Sequence, residues 1–250
     1  MKLWIILLAL ILVGCSNTVQ NTTSQLPSSV NSKQIFSAVL TDIEGDVTIN
    51  GLPANDLANL QVGDTIQTAD ESEATIIFFN TSRTHLWDNT TIVIQRFQED
   101  QPRNIQLKQS SGKIWTKLLR LSGVSKFEVI TPTTVALVRG TGFWVSVNNG
   151  STAIGVTEGK VYIQHINNNL VVGEKTLEKD QQIIIDNEME VKPLVHDDFI
   201  NENLQKDEEF INTVREKVGN ENFDTMINSS SQTNLNRIDY PELSKNLNVV

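Results

Sequence analysis

The sequence predicts an all-β fold, a solenoid-like or coiled β-sheet domain with a two-sheet sandwich as the alternative, followed by a C-terminal amphipathic helix. Three observations lead there. Between Ile35 and about Leu194, short apolar runs are divided by turn signals, and few stretches keep helical periodicity over about ten residues. A turn glycine precedes a β-branched strand residue by two positions in Glu44-Gly45-Asp46-Val47, Ser111-Gly112-Lys113-Ile114 and Glu158-Gly159-Lys160-Val161. Past Pro193 the apolar residues shift to helical spacing.

Taken in order, Gly45 and Asn50-Gly51 supply turns, and Gly63-Asp64 leads into Thr65-Ile66. Ala74 to Phe79 reads as a strand. Its Ile76, Ile77, Phe78 and Phe79 are apolar at successive positions, so both faces need cover. Asn80-Thr81-Ser82 turns the chain and Thr91 to Phe97 is the next strand. Later strands alternate cleanly: Phe127 with Val129, Phe143 with Val145 and Val147, and Val161 with Ile163 each share a face. The first and third glycine units are each followed by a similar run, Leu60-Gln61-Val62-Gly63-Asp64 and Leu177-Glu178-Lys179-Asp180. Such repetition favours a coil, while the irregular period keeps the sandwich open. The domain is expected over 35–195. A helix over 196–219 is expected to pack on it, capped by Asp197-Asp198, stopped by Gly219, and apolar at Ile200, Leu204, Ile211, Val214 and Val218. Residues 220–250, interrupted by Pro241, read as a loosely ordered tail.

At the other end, Lys2 precedes an apolar run from Leu3 to Val13 that suits the h-region of a signal peptide better than a membrane span. It closes on Leu12-Val13-Gly14-Cys15, which resembles the lipobox of bacterial lipoproteins. The resemblance implies that residues 1–14 are removed and that Cys15 carries a covalent diacylglycerol and a fatty acyl chain, with no other cofactor expected. The acyl chains would hold the protein to the bilayer on its extracytoplasmic side, and Ser16 fits export to an outer membrane if the cell has one. Residues 15–34, rich in Ser, Thr, Asn and Gln, read as a flexible tether. About twenty such residues reach on the order of 25 Å.

The formal net charge of −10 argues against nucleic acid as a partner and against adhesion to anionic lipid through a basic patch. Cys15 is the only cysteine, so no intrachain disulfide supports the fold.

Val129-Ile130-Thr131-Pro132, followed by Val138-Arg139-Gly140-Thr141-Gly142-Phe143-Trp144-Val145, resembles the signature of the FecR-like domain family. Gly45-Asp46-Val47, Leu60 to Thr68, Ser72 to Phe79 and Glu158 to Val161 look like the units around it, so the likeness spans about Ser37 to Ile185. It implies an extracytoplasmic all-β domain without catalysis. The regulators that named the family resemble a cytoplasmic sigma-factor-binding segment joined by a transmembrane helix to the outer domain. A lipobox in that place leaves nothing in the cytoplasm, so control of a sigma factor would need a second, membrane-spanning protein. The expectation is an envelope-side protein-interaction module, a scaffold or the outer component of envelope signalling. The alternative is a lipoprotein that binds cell-wall or surface polysaccharide.

Among candidate site residues, the guanidinium of Arg139 can grip a partner's carboxylate or satisfy carbonyls of its own turn. Gly140 and Gly142 are expected to allow a positive φ or a close backbone approach. Trp115 and Trp144, with Trp87 and Tyr162, could stack on sugars or protein, or could instead seal a sheet face beneath the helix. No metal site is expected, since the Gly45 turn breaks the alternation of Asp42, Glu44 and Asp46. No catalytic set is proposed: His85, His165 and His196 lie far apart and no nucleophile elbow, phosphate loop or HExxH occurs. Asp207-Glu208-Glu209 reads as a solvated helix face.

Overall fold

The computed structural model describes residues 38–98, 100, 102–186 and 189–225. The expected signal peptide, Cys15, the tether and most of the expected tail lie outside these residues. In chain order the strands are β1 (Ala38–Glu44), β2 (Val47–Ile49), β3 (Leu52–Pro53), β4 (Ala58–Asn59), β5 (Thr65–Thr68), β6 (Glu73–Phe78), β7 (Ser82–Leu86), β8 (Thr91–Gln98) and β9 (Arg103–Leu118). After a 3-10 turn at Arg120–Ser122 come β10 (Val124–Ile130), β11 (Thr134–Val138), β12 (Gly142–Asn148), β13 (Ser151–Glu158), β14 (Lys160–Asn167), β15 (Leu170–Glu178), β16 (Gln181–Ile185) and β17 (Met189–Pro193). Helix α1 covers Asp198–Val218.

The 17 strands of the described residues form one connected sheet, bent into two layers by the long strand β9. Residues of β9 up to Ser111 pair with β8 and β10, whereas those from Gly112 onward pair with β7 and β12. The outer layer, which α1 covers, runs β4-β1-β6-β7-β9-β12-β13-β16-β17. The second runs β3-β2-β5-β8-β9-β10-β11-β14-β15. Apart from two-residue β3 and β4, the order in each layer is the order of the chain. These pairings are antiparallel except β9 with β10, where the chain completes a full turn of the coil and lies parallel to its own start. The coil and the sandwich expected as alternatives are thus two descriptions of one wound, two-layered sheet.

Every second residue of the strands points between the layers, as the alternating pattern requires. Leu40, Ile76, Phe78, Ile114, Phe143, Val145 and Ile154 from one layer meet Ile66, Ile94, Leu107, Phe127, Val129 and Ile163 from the other in a single core, all at most 1% exposed where fully enclosed. Phe127 and Phe143 touch edge-to-face across the gap, 5.9 Å between ring centres.

The three glycine units of the sequence mark three of the places where the chain changes layer. Gly45 joins β1 to β2, Gly112 bends β9, and Gly159 joins β13 to β14, with φ of +71°, +80° and +76°. Each faces a short turn carrying a buried hydroxyl: Ser72, Thr90 and Thr141. The residues before these hydroxyls, Glu71, Asn89 and Gly140, all have positive φ, at 50°, 53° and 60°. Each hydroxyl donates to the carbonyl two residues back, Asp70 at 2.9 Å, Asp88 at 3.3 Å and Arg139 at 3.1 Å. Each also reaches the backbone of the residue after the corner glycine. Ser72 accepts from the N–H of Asp46 and Thr90 from that of Lys113, both at 2.9 Å, while Thr141 bonds the carbonyl of Lys160 at 3.4 Å. The bend exposes backbone groups that no strand partner can take, and the hydroxyl satisfies them. A Cβ on Gly112 would sit 2.3 Å from the Thr90 Cα, so only glycine lets the two turns close.

Candidate functional site

The outward face of the outer layer carries a transverse row of cross-strand neighbours, Thr75, His85, Trp115, Trp144 and Gly155, one from each of β6, β7, β9, β12 and β13. The Trp144 indole lies flat over Gly155, where a Cβ would come within 2.3 Å of its Nε1. The parallel row is charged: Arg83, Lys117 and, opposite Gly142, Glu158, which pairs with Lys117.

Helix α1 lies on this face. Asp197 caps it by accepting from the Ile200 N–H at 3.0 Å, and the N–H of Gly219 closes it on Arg215 at 2.9 Å. Its buried stripe is Ile200, Asn203, Asp207 and Val214, so half of the residues turned fully inward are polar. Phe199 packs edge-on against Trp87, Trp115 and Trp144, with ring centres 5.0, 5.7 and 6.3 Å away. The Lys113 ammonium stands 3.4 Å above the Phe199 ring, and burial lowers its pKa. Asp207 accepts from the Trp115 Nε1–H at 2.9 Å and from Arg83 at 3.4 Å. Burial pushes its carboxyl up to about 6, against the pull of the Trp115 bond and of Lys117 and Arg83. Two atoms under the helix, the Trp144 Nε1 donor and the Asn203 Oδ1 acceptor, meet no partner among the described residues. Beyond Gly219, residues 220–225, expected to begin a loosely ordered tail, form a further helical turn with Phe223 4% exposed against Leu119 and Val214.

Beside α1 a groove of about 570 Å³ opens over β1, β6 and β7, with Asp42, Glu44 and Glu73 on the sheet side and Lys206 and Lys217 on the helix side. On its floor the Thr75 hydroxyl bonds His85 Nδ1 at 2.9 Å, and His85 Nε2 bonds Glu73 at 3.0 Å. Hydroxyl, imidazole and carboxylate in that order suggest a nucleophile with its base. Burial, helped by the Arg83 and Lys206 cations, holds His85 down at about 3, far too weak a base for work near neutrality. Thr75 is also only 1% exposed. The row therefore staples β6 to β7 through a neutral imidazole. A second concavity, of about 480 Å³, lies where β9 changes layer and is rimmed by Trp87, Asn89, Ser110, Lys113 and Asn148.

The edges of the two layers differ. β3 and β4 are two residues long and β17 ends in Pro193, all features that discourage further pairing. β15 has nine residues, pairs only with β14 among the described residues, and exposes Leu170, Val171 and Val172 by 67, 48 and 56%.

The residues singled out in the sequence fall into three places. Arg139 is exposed, and its carbonyl rather than its guanidinium serves the turn, accepting from Thr141. Gly140 takes a φ of +60°, and Gly142 lets Thr157 approach, where a Cβ would meet the hydroxyl at 2.7 Å. Trp115 is fully buried and Trp144 half-buried, both beneath α1 together with Trp87. Asp207, expected on a solvated face, is 2% exposed because the seat offers it an indole N–H and two cations. Hydrophobic periodicity cannot find such a residue, since it counts Asn203 and Asp207 as polar. Their spacing from Ile200, at i+3 and i+7, was the available signal. Among the described residues no group of three metal-binding side chains comes together, and no helix is long and apolar enough to cross a membrane.

No curated protein matches this chain in sequence. Two crystal structures of a candidate anti-sigma factor from Parabacteroides distasonis align with 52% of this chain and 59% of that one, at 20% identity and a TM-score of 0.44. The chain thus spans less than two thirds of that protein. The segment from Asp64 to Tyr162 holds the second and third corners, the hydroxyl turns that brace them, and Arg139-Gly140-Thr141, and over residues 64–162 it matches the model of the family described as FecR protein.

Proposed function

We propose that the chain is a lipid-anchored, extracytoplasmic, non-enzymatic protein whose FecR domain binds another envelope protein, as a scaffold or as the outer component of a signalling pair. The observation that supports this most is the presence, in one chain, of a match to the FecR family at 64–162 and of Leu12-Val13-Gly14-Cys15 ahead of a polar tether. The open edge of β15 supports protein binding, because an extended partner segment can add to it through main-chain hydrogen bonds. The weak base at His85 supports a non-enzymatic reading. The burial of Trp115 and the cover over Trp144 weigh against sugar stacking on those two rings.

Metabolic labelling with a fatty-acid analogue tests the anchor. The unaltered protein should take the label and Cys15→Ser should not; label on the variant would remove the anchoring claim. Crosslinking in living cells tests the module. Recovery of a membrane-spanning envelope protein is expected, and recovery of wall polymer alone would overturn the protein-binding reading.

A further inference from the structure

We propose that the aromatic and basic seat beneath α1 is a recognition site for an acidic amphipathic helix of a partner protein, and that α1 occupies it as an intramolecular placeholder. This rests on the reading of the domain as an interaction module and names the shape and charge of what it binds.

Three observations carry it. The seat is built to receive a helix: Trp87, Trp115 and Trp144 form an apolar trough that a single phenylalanine, Phe199, fills edge-on to all three. Its electrostatics select an acidic occupant. Lys113 and Arg83 stand in the trough, and Asp207, the one acid that α1 buries, is placed against Arg83 and Trp115. Finally, α1 fits the seat incompletely. Asn203 Oδ1 and Trp144 Nε1 meet no partner among the described residues, and Asp207 is held where burial disfavours its charge. A partner helix with an acceptor for the Trp144 indole, and without an amide where Asn203 now lies, would bind the same trough with fewer unmet bonds. Displacement of α1 would then couple partner binding to release of residues 198–225 from the sheet.

The test uses the full chain and a fluorescent peptide spanning residues 196–219 as the probe. Phe199→Ala loosens the placeholder and leaves every seat residue in place. The peptide should bind Phe199→Ala at least tenfold more tightly than the unaltered chain, because a seat filled part of the time lowers apparent affinity by the filled fraction. A peptide with its acids replaced by lysine should not bind. Equal affinity for both proteins, or equal binding of the two peptides, overturns the proposal. Light scattering on Phe199→Ala identifies the competing occupant: a dimer made by exchange of α1 between copies would also overturn it. Should the variant not fold, hydrogen exchange on the unaltered chain decides. The α1 amides should exchange at least tenfold faster than those of β9 and β12, and protection equal to β9 would sink the idea. None of these readouts depends on the anchor or on an in-cell partner, so their failure leaves the envelope-module reading intact.

Discussion

The space between the two layers and the space beneath α1 are both closed to water, yet they are built on opposite terms. Between the layers the side chains are mostly aliphatic or phenylalanine, with Gln109 held by the Gly112 and Val145 carbonyls and Thr131 bonded to Thr152, and polar backbone at the bends is satisfied by Ser72, Thr90 and Thr141. Beneath α1 the contact holds tryptophan, Asn203, Asp207, Arg83 and Lys117, with Trp144 Nε1 and Asn203 Oδ1 unmet among the described residues. A core of the first kind tolerates one arrangement only; a contact of the second kind can be traded for another. The difference suggests that the sheet is the fixed frame and that the helix face is where the molecule changes.

That contrast is most severely tested at a corner. Gly112→Val should destabilise the domain by more than about 3 kcal/mol, because a β-branched residue is strained at φ +80° and its Cβ would overlap the Thr90 backbone. Gly140→Val should cost less, though still more than about 1 kcal/mol. Its Cβ would meet only the flexible Arg120 side chain, at 2.8 Å, while the φ of +60° remains unfavourable. Urea unfolding measures both, and a smaller effect at Gly112 than at Gly140 would count against the corner as the rigid element.

Removing the hydroxyl alone sharpens the point. Thr90→Val keeps the shape and leaves the Lys113 N–H without its acceptor, an expected loss of about 1 to 3 kcal/mol in the same measurement. An unchanged midpoint would mean that the hydroxyl turn is a consequence of the bend and not its brace.

Beneath and beside the helix the expected effect appears as a dependence on pH. His85 titrates near 6.5 when unfolded and near 3 when folded, so its contribution is full above pH 6.5 and is lost as pH falls toward 3. Asp207 moves oppositely, from 3.8 unfolded to about 6 folded, so its contribution is present below pH 3.8 and is lost as pH rises through 6. Between pH 6 and 4 the two offset each other. Asp207→Asn keeps an acceptor for Trp115 and removes the counterweight, so that variant should lose stability on acidification across this window. The slope would approach about 1.4 kcal/mol per pH unit. Unfolding curves for variant and unaltered chain that stay parallel from pH 6.5 to 4 would show that these two groups do not govern the contact.

Much of the frame was legible in the residues. Alternation placed Phe143, Val145 and Val147 on one face, and the spacing of Ile200, Leu204, Ile211 and Val214 placed α1. The glycine units were visible as repeats, but not as changes of layer, because their partners Ser72, Thr90 and Thr141 lie between 18 and 27 positions away and bond through backbone atoms. Arg139 looked like a site because a guanidinium beside two glycines is conspicuous, whereas the turn needs only its carbonyl. Asp207 was hidden for the converse reason. Its neighbours Glu208 and Glu209 are acidic too, and only the tertiary position of Trp115 and Arg83 separates the buried carboxylate from the solvated ones.

In each layer the strands follow one another as they do along the chain, so a hairpin touches chiefly the hairpins made just before and just after it. The body is therefore extensible. Inserting or deleting a pair of hairpins, one for each layer, would lengthen or shorten it by about two strand widths, near 10 Å, and leave the remaining contacts as they are. Length along the coil becomes a quantity that gene duplication can adjust in steps, with no need to redesign the interior.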